Sequence, residues 1–330
     1  MINTIYYEKQ IKDHPRVENI FSKFNKVRRI SIDRYGELFN RRNQNFKLQK
    51  INPSLILAKK HKGFVLPTPK GFGIGGTNNY YFSHMYNCIY DCRYCFLQGM
   101  YSSANFVLFV NFEDFDIEIK RLINKHKNIT FFSGYDCDSL ALENITGFAS
   151  HIIPLFRDNP SALLEFRTKS IQINPLDRVS PIENCVIAFS LMPDKMSLEL
   201  DNKAPTIKRR IEAIKRLSEI GWKIGLRFDP LIYGKKWKDY YKELHENIYS
   251  SINLNSVHSI SYGPLRFPSY MYKKIFNLYP EEKLFTGPFD QNQKEISYKK
   301  DIEKEMTDYC LSISLKFLPK SIVFKCGYDN

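Results

Sequence analysis

The chain has 330 residues, of which 43% are hydrophobic and 15% aromatic, so it can bury a sizeable core, and global disorder is excluded. Its 49 Lys and Arg outnumber 35 Asp and Glu, and this net charge of +14 is typical of proteins that meet nucleic acid. No apolar run approaches the roughly 18 residues that span a bilayer, and no secretory signal is apparent. Seven cysteines, an odd number with three clustered, fit a reducing compartment. We therefore expect a cytoplasmic protein that does not enter a membrane.

Basic side chains are concentrated in residues 23–62, where they alternate with Phe24, Tyr35, Phe39 and Phe46. Lys and Arg neutralise phosphates and aromatic rings stack on unpaired bases, so the mixture suits a nucleic-acid-binding face. It suits a solvated basic surface equally well.

The Gly- and Pro-rich residues 67–82 predict irregular backbone that leads into a second segment. They lack the preceding strand and the Gly-Lys-Ser/Thr of a phosphate-binding loop. We predict that residues 1–79 form a basic N-terminal extension and lead-in loop.

Regular structure is predicted from residue 80 onward, where short apolar runs alternate with longer amphipathic stretches. The clearest helix covers residues 205–220, which Pro205 can start and Gly221 can end. Alternating strands and helices indicate a parallel sheet. The number of units fits six better than eight, so we predict an α/β fold with an open, partial (β/α)6 TIM-type barrel over residues 80–283. The apolar run at 105–111 is a candidate for pairing outside this series.

Residues 284–330 are predicted to form a C-terminal α/β cap, with a helix at 300–316 and a closing strand in the run SIVFKC. Side chains of this cap that suit either contact with nucleic acid or simple solvation are Tyr298, Lys299, Lys300, Lys316 and Lys320.

Three thiols lie within eight residues, at Cys88, Cys92 and Cys95. Thiolates are soft ligands for zinc or iron–sulfur clusters, and a Cys-x3-Cys-x2-Cys loop lets three sulfurs converge on one inorganic centre. A structural zinc would need a fourth Cys or His at its own spacing, and no second pair follows. The pattern favours a four-iron cluster with one iron left free to hold a small molecule.

Further candidates follow from the rule that ligands bind at the carboxyl ends of parallel strands. The residues in such positions are Ser133, Gly134, Tyr135, Cys137, Asp138, Lys169, Ser190, Arg227 and Asp229. A bound amino acid moiety needs a cation near its carboxylate and acceptors near its amino group, and a ribose needs a carboxylate or hydroxyl. The set supplies each of these groups. A buried Arg227–Asp229 pair that holds the barrel is an equal alternative to a substrate contact.

At the cysteine loop the sequence resembles the radical S-adenosylmethionine (SAM) superfamily, whose signature is this spacing with an aromatic residue, here Tyr94, before the third cysteine. The run CRYCFLQGMY is similar to the cluster loop of the spore photoproduct lyase family. The stretches that follow in the family's order are residues 138–147, 166–170, 187–194 and 209–232. The likeness extends from near Arg28 to the C-terminus.

The resemblance implies a radical SAM core with a [4Fe–4S] cluster, bound SAM and an external one-electron donor such as flavodoxin or ferredoxin. The residues implied as cluster ligands are Cys88, Cys92 and Cys95. It also implies that Tyr94 contacts the adenine through its backbone, that Asp138 lies near the methionine or ribose, and that Lys169 and Ser190 hold SAM. Further cofactor contacts, expected from their strand-end positions, are Ser133, Gly134 and Arg227.

Two residues depart from the family pattern at the positions that return a hydrogen atom to the product. The family has a cysteine three residues before Asp138 and a tyrosine directly after Cys95, where this chain has Tyr135 and Phe96. Cys137 can serve as a displaced donor, because its S–H bond is weak, or can be a small buried hydrophobe. Tyr135 is the alternative donor. We expect only core packing from Cys185, Cys310 and Cys326, although Cys326 lies where the chain could fold back over the site.

We therefore expect an enzyme that cleaves SAM reductively to a 5′-deoxyadenosyl radical and acts on nucleic acid. DNA is the favoured partner, and reversal of a thymine lesion is the most specific version. One alternative is radical modification of another nucleotide, RNA or protein. An alternative of another class is a non-catalytic, metal-containing nucleic-acid-binding protein.

Overall fold

The structure is a computed structural model and describes residues 2–327. Its strands are β1 (Thr4–Glu8), β2 (Arg28–Ile32), β3 (Leu55–Ala58), β4 (Leu66–Pro67), β5 (Asn78–Phe82), β6 (Met85–Tyr86), β7 (Asp91–Cys92), β8 (Phe106–Phe109), β9 (Ile129–Ser133), β10 (Ala162–Thr168), β11 (Cys185–Ser190), β12 (Asp201–Asn202), β13 (Lys223–Leu231), β14 (Val257–Pro264), β15 (Arg266–Pro268), β16 (Phe289–Gln291), β17 (Glu295–Tyr298) and β18 (Val323–Lys325). Its α-helices are α1 (Pro15–Lys23), α2 (Gly36–Phe39), α3 (Phe46–Ile51), α4 (Leu97–Met100), α5 (Phe112–Lys125), α6 (Glu143–Thr146), α7 (Phe148–Arg157), α8 (Asp194–Leu200), α9 (Ile207–Ile220), α10 (Trp237–Ser251), α11 (Ser269–Leu278) and α12 (Lys300–Ser314). Within this described range, no helix is both long and apolar enough to cross a membrane.

An eight-stranded sheet forms the framework of the molecule, with the strand order β18-β14-β13-β11-β10-β9-β5-β4. Neighbouring strands from β5 to β18 are parallel, and the short β4 at the edge is antiparallel. The six strands β5, β9, β10, β11, β13 and β14 are the series that strand–helix alternation predicts. The two edges of the sheet do not pair with each other. The sheet is thus an open half-barrel, and the predicted partial barrel is confirmed.

Helix α9 shows how the sequence sets the bounds of an outer helix. The Thr206 side chain accepts a hydrogen bond from the Arg209 amide and caps the first turn. Gly221 ends the helix at φ +107°, a left-handed conformation that favours glycine. The predicted helix is confirmed, but it begins after the Thr206 cap and not at Pro205.

A five-stranded sheet has the order β2-β1-β3-β8-β6. Three of its strands come from residues 1–79 and two from the segment that follows. β8 pairs in parallel with β3, which confirms that the apolar run at 105–111 pairs outside the main series. This sheet therefore joins the chain on both sides of residue 79. The division into 1–79, 80–283 and 284–330 stays a prediction.

The aromatic side chains of the basic segment pack inward. Phe39 is buried, and its ring centroid lies 5.0 Å from that of Tyr101. Phe46 is also buried, and Tyr35 packs edge-on against Phe109. The interpretation in which these rings stack on unpaired bases is wrong for Phe39 and Phe46, because the core already covers them.

The C-terminal residues extend the main sheet. α12 confirms the predicted helix at 300–316, and β18 pairs in parallel with β14 at the sheet's edge. Tyr298 is buried, and its hydroxyl accepts a hydrogen bond from the Tyr233 amide at 3.0 Å. Tyr298 is therefore not available to contact nucleic acid. The four lysines proposed with it, Lys299, Lys300, Lys316 and Lys320, are exposed.

Candidate active site

A cavity of about 400 Å³ lies at the carboxyl ends of the parallel strands. The ends of β9, β10, β11 and β13 line it, together with the cysteine loop and the residue that follows β18. Twelve of the thirteen predicted site residues are in its wall: Cys88, Cys92, Tyr94, Cys95, Ser133, Gly134, Tyr135, Cys137, Asp138, Lys169, Ser190 and Asp229. Arg227 is the exception.

The cysteine loop is closed at its base by the antiparallel pair β6 and β8. Asn87, at φ +66°, donates from its side-chain amide to the carbonyls of Ser103 and Asn105, both at 2.7 Å. Lys50 of α3 covers the loop from the other side. Its Nζ donates to the Cys88 carbonyl oxygen at 3.0 Å and to a second loop carbonyl at 2.9 Å. The loop is therefore held in place by the protein itself.

The three loop thiols are surrounded by protein and by two lysines. Burial raises the pKa of Cys88 to about 12, and burial also raises the pKa values of Cys92 and Cys95. The ammonium groups of Lys50 and Lys169 act in the opposite direction on these thiols. They favour the thiolate, which is the form that binds a metal.

The donor set fits a cluster. Within residues 2–327, no three Cys, His, Asp or Glu side chains are close enough to ligate a single metal ion. A four-iron cluster does not need such a group, because each of three thiolates would bond to a different iron atom. Three thiols in one cavity wall would leave the fourth iron of such a cluster without a protein ligand from this loop.

Lys169 supplies a cation directly after β10. Its Nζ lies 5.3 Å from the centroid of the Tyr94 ring. Burial lowers the pKa of Lys169, but Cys92 and Asp201 outweigh that effect and the net shift is upward. Lys169 is therefore an ammonium ion at neutral pH, and it can pair with the carboxylate of a bound amino acid moiety.

Asp201 anchors the aromatic residue of the cysteine loop. It accepts a hydrogen bond from the Tyr94 hydroxyl and another from Arg210 at 2.7 Å. Arg210 also donates to the Ser190 carbonyl at 3.0 Å. A buried ion pair thus fixes the end of β11, where Ser190 lines the cavity, relative to the loop. Sequence reasoning missed Asp201 and Arg210, since neither lies at the end of a parallel strand.

Asp138 ties the segment after β9 to the end of β10. Its Oδ1 accepts hydrogen bonds from Thr168 Oγ1 at 2.6 Å and from the amides of Leu140 and Ala141 at 3.0 and 2.9 Å. Its Oδ2 accepts from the Lys169 amide at 2.6 Å. These four bonds use most of the acceptor capacity of a carboxylate. Asp138 lines the cavity and positions Lys169, while a contact with the methionine or ribose stays a prediction.

The segment after β9 begins with Ser133 and Gly134. Gly134 has φ +83°, and a Cβ there would lie 2.4 Å from Ser139 Oγ, so the close packing needs glycine. Ser133 is buried and lines the cavity, and in the described part of the chain its Oγ has no hydrogen-bond partner. A bound ligand would supply that partner.

Both candidate hydrogen donors face the cavity. Tyr135 is 38% exposed, and its ring centroid lies 4.3 Å from that of Tyr81 and 5.3 Å from that of Phe96. Cys137 is 7% exposed and lines the same cavity. Burial raises the pKa of the Cys137 thiol well above its usual value. Cys137 therefore keeps its S–H hydrogen at neutral pH.

Arg227 lies behind the cavity wall. Its buried guanidinium pairs with Glu165 at 2.7 Å and donates to the Ser259 carbonyl at 3.0 Å. Asp229 pairs with Arg266 at 3.2 Å instead. The structure does not bring Arg227 to the other cofactor candidates, because these partners already use its donors. The predicted Arg227–Asp229 pair is replaced by two separate pairs.

The further side chains that line the cavity include Arg167 and Arg266, which were not proposed as site residues, and Cys326, which was given only a conditional place. Arg167 lies two residues before Lys169 in the chain. Since alternate residues of a strand share a face, this spacing was a usable signal. Arg266 and Cys326 reach the cavity through the fold of later segments, and no local pattern marks them.

Comparisons with known proteins agree on one family. The spore photoproduct lyase family model matches residues 3–304. A spore photoproduct lyase of Bacillus subtilis (strain 168) is 22% identical over 246 residues, which cover 71% of this chain and 72% of that protein. A second, from Geobacillus sp. (strain Y412MC61), is 20% identical over 217 residues, which cover 64% of this chain and 62% of that protein.

The fold is also that of solved spore photoproduct lyase structures. A mutant with bound AdoMet and dinucleoside spore photoproduct matches with a TM-score of 0.85 at 16% identity, over 98% of both chains. A complex with dinucleoside spore photoproduct matches equally, with a TM-score of 0.85 at 16% identity and 98% coverage of both chains. The chain therefore belongs to the spore photoproduct lyase family, a family of radical SAM enzymes.

Proposed function

We propose that this chain is a radical SAM enzyme that reverses a thymine lesion in DNA. The observation that carries the proposal is the meeting in one cavity of three cluster-spaced thiols, the Lys169 ammonium and two candidate hydrogen donors. Relatives named spore photoproduct lyase support it, as do structures of that enzyme with AdoMet and with the dinucleoside lesion.

In this proposal Cys88, Cys92 and Cys95 hold a [4Fe–4S] cluster, and SAM lies beside it. When bound, the two groups together supply a radical that removes a hydrogen atom from the substrate. Lys169 pairs with the carboxylate of SAM. The remaining contacts that we assign to SAM are Tyr94, Ser133, Gly134, Asp138 and Ser190.

Hydrogen return is assigned to residues of the same wall. A lesion that has lost a hydrogen atom must regain one before repaired thymine leaves. Cys137 can break its weak S–H bond and form a C–H bond on the product, and Tyr135 can do the same through a stronger O–H bond. A hydrogen atom from 5′-deoxyadenosine would then restore the donor, and no outside reductant would be consumed if SAM is re-formed in the same step. We place this reaction in the cytoplasm, with flavodoxin or ferredoxin as the initial electron donor.

The test is anaerobic reconstitution of the protein with iron and sulfide, followed by reaction with SAM and oligonucleotides. We expect DNA that carries the thymine lesion to raise 5′-deoxyadenosine formation above the uncoupled background. Deuterium placed on the lesion should appear in the 5′-deoxyadenosine and in re-formed SAM. Undamaged DNA of the same sequence is the control.

Two outcomes would contradict the proposal in different ways. Stoichiometric zinc without iron in the purified protein would defeat the radical reaction altogether. SAM cleavage that lesion-bearing DNA never stimulates would defeat repair and leave modification of another nucleotide, RNA or protein. Tyr135 and Phe96, which replace the family's hydrogen donors, are the residues that favour this second function.

A further inference from the structure

One side of the cysteine loop is covered by a helix that carries exposed aliphatic side chains. Helix α3 lies against this side through the two hydrogen bonds of Lys50. On the same helix Leu48 is 63% exposed and Ile51 is 64% exposed. Their spacing of three residues places them on one face. Adjacent exposed aliphatic residues of this kind mark sites of interaction more often than scattered ones do.

The same surface is positively charged. Residues 41–52 contain four basic residues and no acidic one, and Arg41, Arg42 and Lys47 are exposed while Lys50 is buried. Lys203, which follows β12, is exposed and joins α3 through a hydrogen bond from its Nζ to the Lys50 carbonyl at 2.7 Å. We name this surface the outer loop face, and its members are Arg41, Arg42, Lys47, Leu48, Ile51 and Lys203.

The outer loop face is connected to the cysteine loop at a second point. The Nζ of Lys47 and the guanidinium carbon of Arg93 lie over the Tyr279 ring, at 5.2 and 4.0 Å from its centroid. The Tyr279 hydroxyl donates to Asp91, which lies between Cys88 and Cys92 in the loop, at 3.1 Å. No member of the outer loop face is among the described residues that line the cavity. A macromolecule on the outer loop face can therefore come close to the loop without entering the substrate site.

We propose that the outer loop face is the docking surface for a small acidic protein that carries one electron to the cysteine loop. The proposal rests on the proposed function, because an electron is required there only if the loop holds a cluster. In each transfer the carrier loses one electron and the enzyme gains one, with no covalent bond made or broken. The positive charges match an acidic carrier and would steer its approach.

The exposed aliphatic pair distinguishes this occupant from DNA. Phosphate-binding faces use Lys and Arg with polar donors, and unpaired bases stack on aromatic rings. Leu48 and Ile51 offer neither kind of contact. An apolar centre with a charged rim is the pattern of a protein interface. Transient electron-transfer interfaces bury less than about 1,200 Å², so a docking surface for such a carrier can be small.

The experiment measures binding of a purified oxidised flavodoxin to the reconstituted oxidised enzyme by titration calorimetry. We expect the double variant Leu48→Glu/Ile51→Glu, and separately Lys47→Glu, to weaken binding by at least about tenfold. Wild-type affinity should fall as salt is added. Matched controls are Ile117→Glu, at an equally exposed position on α5, and Lys120→Glu on the same helix, and both should bind as wild type does.

A second measurement separates docking from chemistry. With dithionite, a small diffusible reductant, the variants should form 5′-deoxyadenosine at the wild-type rate, whereas reduction through flavodoxin should be slowed in parallel with binding. Failure of wild type even with dithionite would refute the proposed function. Activity with dithionite but no weakening of flavodoxin binding in the variants would overturn the docking surface alone. If the variants kept flavodoxin binding but lost DNA binding or self-association, the outer loop face would be assigned to DNA or to a second copy of this chain. Either outcome would overturn the proposal.

Discussion

Cys137 is the residue whose replacement should separate hydrogen return from hydrogen removal. In Cys137→Ala we expect SAM cleavage to continue, while repaired thymine per cleaved SAM falls by at least about tenfold, the effect of a barrier raised by about 1.4 kcal/mol. The physical reason is the loss of a weak S–H bond from the cavity wall. The measurement is the product ratio by mass spectrometry. Cys185→Ala, a buried cysteine within β11, is the control and should leave the ratio unchanged.

The companion change Tyr135→Phe keeps the ring between Tyr81 and Phe96 but removes its hydroxyl. If Cys137 is the donor, Tyr135→Phe should retain a product ratio close to that of wild type. A ratio that collapses in Tyr135→Phe and survives in Cys137→Ala would transfer the role to Tyr135.

Site residues at the ends of parallel strands could be predicted from the sequence, whereas site residues that act through tertiary contacts could not. Lys169 and Ser190 follow or end apolar runs, so their place at the carboxyl ends was visible in the sequence. Arg227 satisfies the same rule and nevertheless turns to Glu165 across the neighbouring strands. The alternation of side chains along a strand predicts which face of the sheet a residue lies on. It does not predict which residue on that face forms an ion pair with it.

At the scale of elements, α3 is expected to control how well the loop keeps its metal. In the wild type the Lys50 ammonium binds two loop carbonyls and lowers the pKa of Cys88, against the effect of burial. Lys50→Met removes this ammonium. Two buried carbonyls left without a donor should cost about 1–3 kcal/mol of unfolding free energy. We also expect less iron per protein chain after reconstitution, measured by iron and acid-labile sulfide analysis.

Lys47→Met is the matched control for this change. It lies on the same helix, is exposed, and makes no hydrogen bond to the loop carbonyls. Iron content and unfolding free energy should stay at wild-type values. Equal iron content in the Lys50 and Lys47 variants would contradict a role for Lys50 in holding the loop.

The pairing of strands was less predictable than their existence. The apolar run of β8 and the closing strand β18 are both visible in the sequence. Their partners, β3 and β14, are set by distant segments, and no local period encodes such a choice. This is why Cys326, which follows β18, could be given only a conditional place at the site.

For the whole molecule, two buried histidines should make stability depend on pH. Burial lowers the pKa of His84 to about 3 and that of His245 to about 4, from an ordinary 6.5. Below pH 6.5 these two histidines bind protons in the unfolded chain but not in the folded chain. The stability that is present above pH 6.5 is therefore lost as the pH falls. Glu143, whose pKa burial raises to about 6 from 4.5, acts in the opposite direction between those values. The sum predicts a loss of roughly 2 kcal/mol in unfolding free energy between pH 7.5 and 5.5.

Urea unfolding at the two pH values measures this loss. His84→Gln should remove about two thirds of it, because one of the two histidine contributions of about 1.4 kcal/mol disappears while the opposing contribution of Glu143 stays. His61→Gln, at an exposed position, should leave the difference between the two pH values as in wild type. An unchanged difference in His84→Gln would show that His84 is not a source of the dependence.

The closed base of the cysteine loop has a consequence for how the protein would acquire the proposed cluster. β6 and β8 pair on either side of the loop, and Asn87 bridges its ends. The conformational entropy of closing the loop is therefore lost when the protein folds, and not when the metal binds. Small domains whose loops close only around their metal unfold when it leaves. Here oxygen that strips the cluster would leave a folded apoprotein with its loop already shaped, and reloading would need iron, sulfide and reduced thiols but no refolding.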